Sequence, residues 1–234
     1  MERWQGRVAL VTGASVGIGE SVSKELVSLG IHVVGCSRDI EKLTEVSNAI
    51  NSSLAENVPP SMFGSFTPIE CDIRYKRSIP NVFQLIRDKF GRLDICVNNT
   101  ALPKTAEKMA NESIRLMMEA SIAEGHIFNI GSLSVHTAAM DNSIGYFYSS
   151  TKYDVDSLTN RLRRQFIKTN RPIRVTVVSP GVVPRYRKEK GEMVYKSSIA
   201  LTADDIAKSI ANALALPFSI EVHDILCRPI VKTN

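Results

Sequence analysis

The chain has 234 residues, 44% of them hydrophobic and 23% charged, which is typical of one globular α/β domain or two small ones. Its net charge of +5 suits a small anionic ligand and does not by itself indicate a nucleic acid. No apolar stretch approaches the roughly 20 residues that a membrane span requires.

The predicted elements begin directly at the N-terminus, where the charged residues 1–7 run into an apolar strand and leave no room for a signal peptide. Predicted strands lie at residues 8–11, 32–36, 66–71, 93–98, 126–130, 174–179 and 225–227. Between them, apolar residues recur at helical spacing, as at Ile18, Val22 and Leu26. Strand–helix–strand repetition implies right-handed crossovers. We therefore predict an α/β fold: a doubly wound parallel sheet with helices on both faces, three layers in a single domain over residues 1–234.

The cysteines and the densest basic run favour ordinary structural roles. Each of the four cysteines lies in or beside a predicted strand, and none has CxxC or Cys/His spacing. We therefore expect free thiols, no metal site and a cytoplasmic location. Residues 185–190 carry dense positive charge, which Glu189 interrupts and Glu192 follows. We interpret them as a solvated loop rather than a nucleic-acid or membrane patch.

The first strand leads into a glycine-rich turn, Thr12-Gly13-Ala14-Ser15-Val16-Gly17-Ile18-Gly19. Its three glycines allow a sharp turn, a close approach of a diphosphate to the main chain, and tight packing of the following helix on its strand. The N–H groups and the positive dipole end of that helix face the anion. This arrangement predicts a dinucleotide site beyond the carboxyl ends of the strands.

The end of the second strand indicates which dinucleotide binds. An acidic residue there would bond the adenine ribose, whereas a basic residue would meet a 2′-phosphate. Here Ser37 is followed by Arg38, whose guanidinium is a good bidentate partner for phosphate, so we favour NADP(H) over NAD(H). Asp39 weakens this preference, because its carboxylate could pair with Arg38, or it could instead cap the next helix.

Three other strand ends carry candidate cofactor contacts. Asp72, followed by Ile73, could accept a hydrogen bond from the adenine amino group or could be a turn residue. Asn98 ends the fourth strand and would lie beside the cofactor, although asparagine is also common in turns. Pro180-Gly181 follows the sixth strand, where a tight turn continuing to Val183 would bring main-chain groups to the nicotinamide carboxamide.

Tyr148 and Lys152 are four residues apart and therefore lie on one face of a helix. A phenol with an ordinary pKa near 10 is a poor acid–base group at neutral pH, and a neighbouring ammonium favours its phenolate form. Ser134, at the end of the fifth strand, is the preferred serine to polarise a substrate carbonyl while Tyr148 transfers the proton. Ser132 is the alternative.

These motifs together resemble the short-chain dehydrogenase/reductase family over nearly the whole chain. Within that family the chain is similar to the branch of dehydrogenase/reductase member 11 and the insect farnesol dehydrogenases, for instance in residues 147–153 and 179–183. The resemblance implies a Rossmann-type domain, NADP(H) as cofactor, and hydrophobic alcohols or carbonyl compounds such as isoprenoids or steroids as substrates. The catalytic residues that we predict are Ser134, Tyr148 and Lys152. The predicted cofactor-binding residues are Gly13, Ser15, Gly17, Ile18, Gly19, Ser37, Arg38, Asp72, Ile73, Asn98, Tyr148, Lys152, Pro180, Gly181 and Val183.

The chain departs from the family's pattern in two connections. Thr100-Ala101 stands where the family has Ala-Gly, and the segment near residues 99–111 is shorter than expected. No asparagine stands near Leu102, where the family's fourth catalytic residue holds a water for a proton relay. The connection at 184–200, which leads to the family's substrate lid, is also short. Residues 103–122 remain long enough for roughly 30 Å of helix, so the sheet crossover can survive.

We therefore expect an NADP(H)-dependent alcohol dehydrogenase or carbonyl reductase with a small hydrophobic substrate. The shortened 99–111 segment motivates a second interpretation, a dinucleotide-binding or scaffold relative that does not turn over. A proton transfer contributes typically 10² to 10⁴ in rate, so loss of the relay predicts slow turnover. Relatives pair through helices equivalent to 103–122 and 148–168, so the resemblance also implies a homo-oligomer.

Overall fold

The computed structural model describes residues 1–57, 64–75, 77–100, 103–136, 143–184, 186–187, 192–193 and 200–230. The strands are β1 (Val8–Thr12), β2 (His32–Ser37), β3 (Ser65–Glu70), β4 (Ile95–Asn98), β5 (Gly125–Ile130), β6 (Ile173–Pro180), β7 (Tyr186–Arg187), β8 (Glu192–Met193) and β9 (Asp224–Cys227). The helices are α1 (Gly17–Ser28), α2 (Ile40–Asn57), α3 (Ile79–Phe90), α4 (Pro103–Glu119), α5 (Ser143–Thr169) and α6 (Ala203–Ala215).

Seven parallel strands form one sheet in the order β3-β2-β1-β4-β5-β6-β9, and β7 and β8 form a separate antiparallel pair. The strand order reverses between β1 and β4, which opens a crevice at the carboxyl edge of the sheet. All seven predicted strands are confirmed. The fourth begins at Ile95, two residues later than predicted. At the preceding residue, Asp94, the buried carboxylate accepts the Val8 N–H at 2.9 Å, and the backbone N–H donates to the Val8 carbonyl at 2.9 Å.

Helices cover both faces of the sheet, and each face has its own apolar core. Alternate residues of β1 show the division: Ala9 and Val11 pack toward α1, α2 and α6, whereas Val8 and Leu10 pack toward α3, α4 and α5. Strands that are buried on both faces are continuous apolar runs in the sequence, which is why they could be predicted from it. The chain is one three-layer α/β domain, as predicted.

Within the described residues, no helix has the length and apolarity needed to cross a membrane. All four cysteines are free thiols, and Cys36, Cys71 and Cys96 are buried. The described part of the chain also contains no group of three histidine, cysteine or acidic side chains that could hold a metal ion.

Candidate active site

The glycine-rich turn between β1 and α1 lies at the edge where the strand order reverses. Gly13 and Gly17 have φ angles of +67° and +59°, in the region that favours glycine. A Cβ atom on Gly19 would lie 2.2 Å from the Gly13 carbonyl oxygen, so this position has no room for a side chain. Val16 stands at the N-cap of α1, where no described side chain caps the helix, so the N–H groups of its first turn are open to an anion. This geometry fits the diphosphate of a dinucleotide.

Four hydrogen bonds join this turn to the segment that follows β4. The Thr12 hydroxyl oxygen accepts the backbone N–H groups of Asn99 and Thr100 at 3.0 and 3.1 Å. The Asn99 side-chain amide donates to the carbonyls of Thr12 and Gly13 at 3.0 and 3.3 Å. The sequence motifs assign no individual role to Thr12 or Asn99. The signal was present in the pair Asn98-Asn99, where the second asparagine, not the first, contacts the glycine turn.

The ends of β2 and the glycine turn are also joined directly. The hydroxyl oxygens of Ser15 and Ser37 lie 2.9 Å apart. The Asp39 carboxylate accepts the Lys42 backbone N–H at 3.0 Å, so of the two roles considered for Asp39 the structure has helix capping. Arg38 is exposed, and its side chain makes no hydrogen bond with any described residue. Its guanidinium is therefore available to a phosphate.

Asp72 follows β3, and its carboxylate is bound by Arg74. Arg74 Nε lies 3.0 Å from both carboxylate oxygens, and Nη2 lies 2.5 Å from one of them. Hydrogen bonds from Arg74, together with the charges of Arg74 and Arg38, lower the pKa of Asp72 to about 2. Asp72 is therefore an anion near neutral pH. Ile73 is buried, and its carbonyl accepts a hydrogen bond from the Thr105 hydroxyl at 3.2 Å.

Asn98 lies inside the protein rather than in the open crevice. Its side-chain amide donates to the Asn129 side-chain oxygen at 2.8 Å, and the Asn129 amide donates to the Thr159 hydroxyl oxygen at 2.8 Å. All three side chains are buried. This polar chain links β4, β5 and α5 and thereby fixes α5 relative to the carboxyl edge. Sequence analysis missed Asn129 and Thr159, because nothing in their local sequence distinguishes them from other strand and helix residues.

Tyr148 and Lys152 lie on the face of α5 that meets the end of β5. Lys152 is 4% exposed, and its ammonium group donates to the Ile130 carbonyl at 2.9 Å. Burial lowers the pKa of Lys152 to about 8. The Lys152 nitrogen lies 5.8 Å from the centroid of the Tyr148 ring, and Tyr148 is 48% exposed. The helix thus holds a buried cation next to an accessible phenol.

Both candidate serines lie in one short turn after β5. The Ser134 hydroxyl donates to the Ser132 hydroxyl oxygen at 3.0 Å, and the Ser134 backbone N–H donates to the same oxygen at 3.2 Å. The Tyr153 hydroxyl of α5 donates to the Val135 carbonyl at 2.8 Å, which ties the turn to the helix that carries Tyr148 and Lys152.

A second contact fixes the same turn on its other side. His136 Nε2 lies 3.1 Å from the Asp224 carboxylate at the start of β9. That carboxylate also accepts the Ser179 hydroxyl of β6 at 3.2 Å. The turn is therefore tied to α5 through Val135 and to the strands β6 and β9 through His136.

Pro180 ends β6, and the segment after it runs along the carboxyl edge. The Gly181 N–H donates to the Cys227 carbonyl at 2.7 Å, and the Val182 carbonyl accepts the Leu201 N–H at 3.0 Å. Val183 is partly buried against the core that contains α1 and α6. Leu102 and residues 185 and 188–190, which sequence analysis singled out, lie outside the described residues.

The fold and these side chains define a class: an α/β protein with a dinucleotide cradle and a tyrosine–lysine pair at the carboxyl edge of its sheet. The family model described as short chain dehydrogenase matches residues 7–123 and 108–192. The chain belongs to the short-chain dehydrogenase/reductase family of dinucleotide-dependent oxidoreductases.

Curated relatives lie in the branch that the motifs predicted. "Dehydrogenase/reductase SDR family member 11" of Gallus gallus is 33% identical over 258 aligned positions, covering 98% of each chain. "Farnesol dehydrogenase" of Aedes aegypti is 27% identical and covers 98% of each chain. Since 98% of 234 residues is about 229, about 29 of the 258 positions aligned with the Gallus gallus protein have no residue in this chain.

Solved structures agree on the fold. A metagenomic short-chain oxidoreductase in complex with NADP is 25% identical with a TM-score of 0.74, covering 98% of this chain and 99% of that one. A short-chain dehydrogenase/reductase of Burkholderia phymatum in complex with NAD is 18% identical with a TM-score of 0.76, covering 97% and 90%.

Proposed function

We propose that this chain transfers a hydride between NADP(H) and a small hydrophobic alcohol or carbonyl substrate, with Tyr148 as the acid–base group. The observation that carries the proposal is the buried ammonium of Lys152 beside the exposed phenol of Tyr148. The pair lies at the same edge of the sheet as a turn in which Gly19 has no room for a Cβ. A bound nicotinamide would supply or accept the hydride.

The chain's own residues handle the proton and the substrate oxygen. In the reductive direction Tyr148 donates a proton to the carbonyl oxygen, and the cation of Lys152 stabilises the phenolate that remains. Ser134 polarises the carbonyl, with Ser132 as the alternative. The two hydroxyls form a hydrogen bond with each other, so both are close to the site. Substitution of each serine in turn distinguishes them, because the serine that contacts substrate has the larger effect on turnover.

The proposed cofactor is NADP(H) rather than NAD(H). The exposed guanidinium of Arg38 at the end of β2 supports this choice, because it is available to a 2′-phosphate. Asp39 supports it as well, since its carboxylate caps α2 and does not neutralise Arg38. The role proposed for Asn98 is indirect, through the buried chain of hydrogen bonds at the ends of β4 and β5. The main-chain contact proposed between the turn at Pro180–Val183 and the nicotinamide carboxamide stays a prediction.

The hydrophobic substrate class is supported by relatedness alone. A relative is named farnesol dehydrogenase, which points to isoprenoid alcohols or aldehydes among the compounds to test. Steroids and other hydrophobic ketones belong to the same proposed class.

The second candidate function is a dinucleotide-binding relative with impaired turnover. Two observations support it. About 29 positions aligned with the Gallus gallus relative have no residue here, and the two family-model segments overlap at residues 108–123, which comprise the later part of α4 and the four residues after it. The overlap agrees with a shortened connection near 99–111. We propose that this shortening removes the family's relay and slows proton transfer.

We also propose a cytoplasmic homodimer. The free thiols support the location. A cavity of about 860 Å³ runs along α5, with acidic Asp154 and Asp156 toward one end and basic Arg161, Arg164 and Lys168 toward the other. Two copies of α5 packed antiparallel would place opposite charges together. Sedimentation velocity of the full chain measures this state.

The test of the proposed function is NADPH oxidation with ketones, quinones and isoprenoid aldehydes, measured for the wild type and for Tyr148→Phe. We expect Tyr148→Phe to lower kcat by about 10² to 10⁴ while NADPH still binds. Tyr153→Phe is the matched control, because it removes a hydroxyl from the same helix that bonds a backbone carbonyl, and it should lower kcat by less than about tenfold. Unchanged turnover in Tyr148→Phe would refute the mechanism. NADPH binding by the wild type without turnover of any compound would favour the second candidate.

A further inference from the structure

The edge of the sheet beside β2 and β3 carries more positive charge than Arg38 alone. Arg74 and Arg77 flank the exposed ring of Tyr75, with their guanidinium carbons 5.8 and 5.5 Å from its centroid. Arg74 is at the same time bound to Asp72, whereas Arg77 is not. The two arginines therefore have the same charge and the same aromatic neighbour and differ in their contact with the carboxylate.

Asp72 creates an electrostatic problem for a 2′-phosphate. It follows β3, the neighbour of β2 in the sheet, and the charge of Arg38 is close enough to contribute to the low pKa of Asp72. A phosphate held by Arg38 would therefore lie within range of an anionic carboxylate, and like charges repel. An unscreened Asp72 would favour a ribose without the phosphate.

The contact between Arg74 and Asp72 is compact and local. The guanidinium lies against both carboxylate oxygens, and the Arg74 backbone N–H donates to one of them at 3.0 Å. The side chain of Arg74 is 57% exposed, and ion pairs this exposed add little to folding stability. What the contact does change is the charge that a ligand meets at this edge.

We propose that Arg74 determines cofactor preference by neutralising Asp72, so that a 2′-phosphate can occupy the position beside Arg38. Arg74 is then a positioning and specificity residue that acts through Asp72, and Asp72 keeps oxygen lone pairs for the adenine amino group. The inference rests on the proposed binding of a nicotinamide dinucleotide at this edge.

The experiment is a double-mutant cycle read by calorimetry, with no turnover involved. Adenosine 2′,5′-bisphosphate and adenosine 5′-monophosphate are titrated at low ionic strength into the wild type, Arg74→Gln, Asp72→Asn and the double variant. We expect Arg74→Gln to weaken the bisphosphate about threefold to tenfold and the monophosphate by less than about twofold. The double variant, in which positions 72 and 74 together carry no net charge, as in the wild type, should bind the bisphosphate within about twofold of the wild type.

Arg77→Gln is the matched control, because it removes an equal charge beside Tyr75 without touching Asp72. Its effect on the bisphosphate should be the same in the wild type and in Asp72→Asn. A double variant that binds the bisphosphate as weakly as Arg74→Gln would mean that Arg74 contacts the phosphate itself, and no weakening by Arg74→Gln alone would mean that it has no part in selection; each overturns the inference. A wild type that binds neither nucleotide would overturn the proposed function, and the inference with it.

Discussion

Substitution of Gly19 by alanine tests whether the glycine turn is built for close approach of two backbone segments. The added Cβ would lie 2.2 Å from the Gly13 carbonyl oxygen, whereas ordinary contact begins at 3.4 Å, so the segments must separate by about 1 Å. Overpacking of this kind costs typically about 1–3 kcal/mol, and the better helix propensity of alanine returns about 1 kcal/mol. We expect a net destabilisation of up to about 2 kcal/mol, with the midpoint of thermal unfolding lower by up to roughly 8 °C.

The displacement should harm nucleotide binding more than it harms stability. It moves the glycine turn and the start of α1, whose open N–H groups would face a diphosphate, so we expect NADPH to bind at least about tenfold more weakly. NADPH fluorescence titration measures the affinity, and circular dichroism in urea measures the unfolding free energy.

Two other glycines serve as controls that distinguish the effect of backbone strain from the effect of a residue's position in the cradle. Gly17 and Gly91 have φ angles of +59° and +68°, and a Cβ on either would meet no atom within 4 Å. Alanine at each should therefore cost a similar strain of about 1–2 kcal/mol. Gly91 follows α3, away from the cradle, so Gly91→Ala should bind NADPH as the wild type does. A Gly19→Ala variant with wild-type affinity and stability would refute the reasoning.

Two further predictions concern buried polar groups. Asn129→Ala removes the buried side chain that bonds both the Asn98 amide and the Thr159 hydroxyl, and should lower the unfolding free energy in urea by about 2–4 kcal/mol; a loss below about 0.5 kcal/mol would contradict the role given to the chain. Lys152 has a folded pKa of about 8, below that of an unfolded lysine, so the unfolded state binds more protons between pH 8 and 10. Wild-type stability should therefore rise with pH relative to Lys152→Met, by about 2 kcal/mol across that window, and parallel pH profiles would contradict it.

The positions of the strands along the chain were predictable because both faces of the sheet are covered. A run such as β6 has to be apolar along its whole length, and that pattern is visible without any knowledge of its neighbours. The glycine turn was predictable for a similar reason, because its constraint is local: positive φ angles and the lack of space for a Cβ restrict residue type at single positions.

The side-chain partners were not predictable in the same way. Asn98 and Asn99 are adjacent and chemically identical, yet one is buried against Asn129 and the other holds the glycine turn. Likewise, two roles were open for Asp39 until its carboxylate was found at the N–H of Lys42. Each choice depends on which segment from elsewhere in the chain lies within hydrogen-bonding distance.

The sequence by itself determined the parallel α/β sheet, the dinucleotide turn and the tyrosine–lysine spacing on one helix face, because these follow from periodicity and from steric limits within a few residues. Only the tertiary structure decided that the Lys152 ammonium is buried against the Ile130 carbonyl and that Arg74 forms an ion pair with Asp72. It also decided that the serine turn is bonded to α5 on one side and to β9 on the other. Burial and charge pairing arise between segments that are distant in the chain or folded back on themselves. The energies of these interactions depend on distances between atoms, and those distances cannot be obtained from the order of the residues.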